Sequence, residues 1–224
     1  MALATRETGV RPQLVIFDCD GVLMDSEPVA NRVFSGQLAK VGMHMTPEEV
    51  WHAFVGNSRD SCIAIAGRLR GSPLPEGFAK QWDDALHLAL DVEARPVEGI
   101  PELLRSLPVP YCVASNGEPM HMRRGLGAAG LLHFVEGRMF SAAEVANPKP
   151  APDVYLHAAK SMGVDPADCV VIEDTPTGTR AALAAGMRVF AYVGSALNQR
   201  DELQRLGAIP FTRMRDLPAL LGFA

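Results

Sequence analysis

In the stretch LVIFDCDGVLMDSE, Leu14 to Glu27, two carboxylates one residue apart, Asp18 and Asp20, follow directly on four apolar residues. Like charges that close destabilise one another unless something positive lies between them. Comparable groups recur downstream. Ser115 and Asn116 follow the apolar run YCVA, Glu173 and Asp174 follow CVVI, and Lys149 stands between two prolines in NPKPAPD. Each alone has an ordinary explanation, since a strand-end Asp caps a helix or forms a turn and a single Lys is usually solvated. Together they define a chemistry. Three or four carboxylates make a hard oxygen-ligand site suited to Mg²⁺, which would also compensate Asp18 and Asp20. The Ser115 hydroxyl, backbone N–H groups near Asn116 and Gly117, and the Lys149 ammonium would bind phosphoryl oxygens. A carboxylate facing a phosphoryl group can form an aspartyl phosphate.

The elements that must position these groups are short buried strands. LVIF (14–17), VPYCVAS (109–115), DCVVIE (168–173) and MRVFAYV (187–193) are nearly continuously apolar, as parallel strands covered on both faces are. Helical patterns separate them: EGIPELLRSL, PDVYLHAAKSMG ending on Gly163, and TGTRAALAAGM with Gly186. This alternation predicts a doubly wound, mainly parallel α/β sheet, in which functional residues collect beyond the carboxyl ends of the strands. Residues 27–95 break the rhythm and read as helical throughout, with Ser26 and Thr46 as N-caps, Pro47 at N1, and Val29, Val33, Gln37 and Val41 on one apolar face. The predicted organisation is a Rossmann-like core, residues 1–26 and 96–224, carrying an inserted all-helical cap, residues 27–95.

DCDGVLMDSE, VASNG, NPKPAPD and VIEDTPTGTRAALAAG together resemble the four signature motifs of the haloacid dehalogenase superfamily. A helical insertion just after the first motif is similar to its C1-cap branch, which includes beta-phosphoglucomutase and many sugar-phosphate phosphatases. The resemblance runs from about residue 13 to the end. It implies Asp18 as nucleophile and Asp20 as general acid and then base, a role typically worth ~10²–10⁴ in rate. It implies that Ser115 and Lys149 hold the transferring phosphoryl group. Mg²⁺ would sit on Asp18, the backbone carbonyl of Asp20, and Asp174, with Glu173 in direct or indirect contact. Cys19, between the aspartates, should face the core.

Within that resemblance, Asp20 argues against dehalogenase and phosphonatase chemistry, whose members lack this carboxylate. Phosphatase action is favoured over a mutase because Ala30 stands where mutases carry a histidine, and because DSEP and the later motifs resemble sugar-acid and hexitol phosphate phosphatases, 6-phosphogluconate phosphatase among them. The mutase reading is the alternative. A non-enzymatic phosphometabolite-binding protein is a weaker one, since it would have no use for the intact catalytic set. Candidate cap contacts to the leaving group are Glu27, Asn57, Ser58, Arg59 and Lys80. Arg59 reads equally as a grip on a second phosphate or as an exposed charge starting a helix. Trp51 and Trp82 are expected to pack between cap helices.

The resemblance implies a small phosphorylated metabolite as partner, and the bulk numbers argue against nucleic acid and membrane. A net charge of −5 is opposite to a nucleic-acid footprint, and no apolar run approaches the ~20 residues of a membrane span. Four scattered cysteines without a CxxC pair suggest neither disulfides nor a metal site and are compatible with a reducing cytoplasm. A monomer is the expectation for a capped chain of this size.

Overall fold

Alternation within the apolar runs decides the layers. In the computed structural model, which describes residues 11–55, 57, 59–194 and 200–223, Val15 and Phe17 of β1 (Leu14–Phe17) face one apolar cluster, and Leu14 and Ile16 face the other. The same period of two splits β2 (Tyr111–Ser115), with Tyr111 and Val113 against Cys112 and Ala114. It also splits β4 (Cys169–Glu173), with Val170 and Ile172 against Cys169 and Val171. With β3 (Met139–Ser141), β5 (Arg188–Tyr192) and β6 (Ile209–Phe211), these strands form one parallel sheet in the order β3-β2-β1-β4-β5-β6. This is the doubly wound arrangement, and the strand order reverses between β1 and β4.

On one face lie α8 (Asp153–Met162), α9 (Pro176–Ala184) and α10 (Arg200–Leu206), closed over the sheet by Ala158, Ala159, Ala181, Ala182 and Leu203. The small alanines let α8 and α9 approach the strands closely. On the other face lie α5 (Ile100–Ser106), α6 (Pro119–Ala128) and α7 (Leu132–Val135), together with the C-terminal α11 (Leu217–Leu220). The same cluster continues without a break into the inserted helices α1 (Glu27–Lys40), α2 (Pro47–Phe54), α3 (Arg59–Arg70) and α4 (Phe78–Glu93). There Phe34 stacks on Trp82 with ring centres 3.9 Å apart and meets Phe54 edge-on at 5.0 Å. Trp82 is buried as expected, whereas Trp51 is only half-buried and walls a cavity. Chain exit and return are laced together: Asp25 N–H donates to the Arg95 carbonyl and Val97 N–H to that of Leu23, each at 2.9 Å.

Two strands differ from the sequence reading. β3 and β6 have three residues each, too few to show a period, and β6 carries Pro210, which an edge position tolerates. The caps differ as well. Thr46 forms the expected reciprocal box with Glu49, but Ser26 is itself helical (φ −86°, ψ −18°) and makes no side-chain capping bond. All four cysteines are free and buried, Cys19 among them in the core. Among the described residues no helix is long and apolar enough to cross a membrane.

Candidate active site

Because β1 pairs with β2 on one side and β4 on the other, the residues just past their carboxyl ends are neighbours. Asp18 is fixed there by its own N–H, which donates to the Ile172 carbonyl at 2.9 Å. Lys149, on the loop before α8, is buried among them. Its ammonium lies 2.5 Å from Asp18 Oδ1 and 2.9 Å from Glu173 Oε1. Burial alone would push the Lys149 pKa down, but Asp18 and Glu173 outweigh it and hold the group firmly protonated. Glu173 is held ionised, below its ordinary range, since Lys149 and the Thr175 bonds overcome the cost of burial.

The carboxylate of Glu173 is satisfied on both oxygens. Oε1 also accepts from the Tyr155 hydroxyl at 2.9 Å, and Oε2 accepts from the Thr175 N–H and hydroxyl, each at 2.9 Å, and from the Asp174 N–H at 3.0 Å. Tyr155, whose ring centre is 4.5 Å from the Lys149 ammonium, is a site residue that sequence reasoning missed. Its place on the apolar face of α8 marks it as core. The signal was there nonetheless, because a buried tyrosine hydroxyl needs a partner. Two glycines make room. A Cβ on Gly21, which adopts φ +81°, would overlap the Asp174 carboxylate, and a Cβ on Gly178 would overlap that of Glu173.

Asn116 enters differently from the sequence expectation. Its side chain clamps the Lys149 backbone, accepting from the Lys149 N–H at 2.9 Å and donating to the Lys149 carbonyl at 3.3 Å. The Gly117 N–H donates to Ser115 Oγ at 3.0 Å, and Ser141 Oγ donates to the Gly117 carbonyl at 2.7 Å, which fixes the turn that presents the buried Ser115. Asn116 therefore fixes the loop that carries Lys149.

Oxygen atoms of Asp18, Glu173 and Asp174 lie within 4.8 Å of one another. Asp20 Oδ1 and Asp174 Oδ1 are buried and accept no hydrogen bond. An all-oxygen cluster with an orphaned carboxylate oxygen on Asp174 fits a hard divalent cation. Without one, burial raises Asp18 to about 7 against the opposing pull of Lys149, raises Asp174 well above the carboxylate range, and also raises Asp20.

A cavity of about 250 Å³ adjoins Asp20 and is lined by Ser26, Ala30, His87, Asp91 and His121 among others. A second, of about 270 Å³, shares Ala30 and brings together three of the expected cap residues, Glu27, Asn57 and Arg59. Arg59 pairs there with Asp83 of α4 at 2.6 Å. Lys80 borders neither cavity. It is 79% exposed and pairs with Asp84 one turn along α4 at 2.5 Å, so its charge serves the outer face of that helix. Ser58 lies outside the described residues.

A family model of haloacid dehalogenase-like hydrolases matches residues 12–186. The 6-phosphogluconate phosphatase of Escherichia coli is 31% identical over 211 residues, covering 94% of this chain and 95% of that protein. Among solved structures, a conserved haloacid dehalogenase-like protein from Agrobacterium tumefaciens superposes with a TM-score of 0.85 at 32% identity, over 94% of this chain and 97% of the other. A hydrolase of the same type from Deinococcus radiodurans, solved with bound phosphate and sodium, gives 0.81 at 31% identity, over 95% and 97%.

Proposed function

The chain belongs to the haloacid dehalogenase-like hydrolases, and from that premise we propose that it is a Mg²⁺-dependent phosphatase of a small sugar or sugar-acid phosphate, working through an aspartyl phosphate on Asp18. One contrast carries the reading. Lys149 fixes Asp18 at 2.5 Å, while Asp20, two residues on, keeps an oxygen without any protein partner beside an open cavity. One carboxylate is immobilised to attack; the other is free to exchange a proton.

Asp18 attacks phosphorus, and Asp20 gives its proton to the departing alkoxide oxygen. Burial favours the protonated form of Asp20 at the start of that step. Asp20, now ionised, takes a proton from water as the water oxygen attacks the aspartyl phosphate, which returns Asp18 and releases inorganic phosphate. Ser115 and Lys149 bind the phosphoryl oxygens throughout, with the Lys149 loop held by Asn116 and its ammonium aimed by Glu173. Asp18, Asp174 and the Asp20 carbonyl would hold Mg²⁺, whose charge, when bound, stabilises the phosphoryl oxygens and keeps Asp18 ionised. The similarity to 6-phosphogluconate phosphatase supports a sugar-acid substrate. Ala30, on the wall of both cavities, supplies no proton-carrying group of the kind a mutase would place there.

The test is phosphate release, with Mg²⁺, from 6-phosphogluconate, hexose and hexitol phosphates, phosphoglycolate and β-glucose 1-phosphate, with Asp18→Asn as the blank. We expect release from a sugar phosphate that the substitution abolishes. Release that survives Asp18→Asn, or conversion of β-glucose 1-phosphate to glucose 6-phosphate in place of free phosphate, would overturn the reading.

A further inference from the structure

The cavity beside Asp20 is closed by two helices that bring facing pairs of residues. From α4 come His87 and, one turn on, Asp91; from α6 come His121 and, three residues on, Arg124. The His87 and His121 rings stack 3.9 Å apart at 9°, which fixes the plane of His121. Arg124 donates to Asp91 Oδ2 at 3.0 Å and anchors that carboxylate. What remains is a pair of unsatisfied atoms. Asp91 Oδ1 and His121 Nδ1 are both buried, both without a hydrogen-bond partner, and 3.6 Å apart. That gap is too long for a hydrogen bond between them, and orphaned buried polar atoms in native proteins call for an explanation.

We infer that Asp91 and His121 together bind a hydroxyl of the leaving group, and so select phosphate esters whose alcohol carries further hydroxyls. A hydroxyl satisfies both atoms at once, since its O–H can donate to Asp91 Oδ1 while its oxygen accepts from His121 Nδ1–H. The location follows from the phosphatase reading, on which this inference rests. The oxygen that Asp20 protonates belongs to the leaving alcohol, so the body of that alcohol occupies the cavity that Asp20 shares with Asp91 and His121. A carboxylate acceptor rewards a hydroxyl donor and repels an anionic group. The pair therefore reads a neutral polyol carbon, not the phosphate and not an acid end.

The experiment compares kcat/KM for a hydroxylated ester (6-phosphogluconate or a hexitol 6-phosphate, whichever is turned over faster) with that for phenyl phosphate. It uses the full chain with Mg²⁺ and the variants Asp91→Ala and His121→Phe. The phenylalanine keeps a ring to stack on His87 and removes the N–H. A hydrogen bond to a carboxylate is worth roughly 10- to 100-fold and an ordinary one roughly 3- to 10-fold, so on the hydroxylated ester Asp91→Ala should lose about the first factor and His121→Phe at least the second, and both should keep phenyl phosphate within about twofold. Equal losses on both esters would assign the pair to helix packing and overturn the inference, as would unchanged turnover of the hydroxylated ester. Wild-type protein inert on phenyl phosphate and on every ester of the wider panel would overturn the phosphatase reading itself.

Discussion

Asp18 sets a balance that belongs to a single side chain. Its carboxyl is raised by burial from the ordinary 3.8 to about 7, with Lys149 opposing and Glu173 adding to the rise. A folded-state value above the unfolded one means that the folded protein binds this proton more tightly. The stability so contributed is full below about pH 4 and is lost as pH rises through 7, a loss on the order of a few kcal/mol. Asparagine at this position does not titrate. In EDTA, the melting temperature of Asp18→Asn minus that of the wild type should therefore grow between pH 5 and pH 8, and Mg²⁺ should narrow the gap at the alkaline end. A gap that stays constant or shrinks in EDTA would show that the buried carboxyl does not carry this cost.

At the scale of elements, the N-terminus of α9 joins stability to the site. Thr175 caps the helix by accepting from the Gly178 N–H at 3.1 Å and turns its hydroxyl proton to Glu173 at 2.9 Å. Thr175→Ala should lower the melting temperature by about 2–4 °C, for a cap worth about 1 kcal/mol, and should also reduce kcat by loosening Glu173 and with it Lys149. Thr46→Ala, which removes the cap of α2, should show a similar thermal loss with kcat unchanged. If both variants behave alike in kcat, Glu173 does not depend on Thr175. The four- and five-residue apolar strands and the carboxylates at their ends were legible in the sequence, because continuous burial and a strand-end position both leave a mark on residue order. Other features were not. The three residues of β6 are too few for a pattern, Ser26 has the chemistry of a cap without the backbone to use it, and Lys80 turns away toward Asp84. Asn116 and Tyr155 owe their roles to partners 33 and 18 residues away, a relation that only folding creates.

For the whole molecule, the question is whether the inserted helices melt with the sheet. Both tryptophans, Trp51 and Trp82, lie in α2 and α4, so fluorescence reports on the insertion alone. The apolar cluster runs unbroken from Val15 and Phe17 through Leu23 and Met24 to Phe34 and Trp82. Denaturant transitions followed by fluorescence and by far-ultraviolet circular dichroism should therefore coincide, as one cooperative unit requires. A fluorescence midpoint at lower denaturant would mean that the insertion comes apart first.

The backbone leaves for α1 and comes back from α4 through one doorway, where Met24 lies antiparallel to Pro96. A loop whose two ends touch imposes no length on what it encloses. The sheet would thread the same way around a shorter helical bundle, a longer one or none, so the insertion can change in length without disturbing the strand ends that carry Asp18, Ser115 and Glu173.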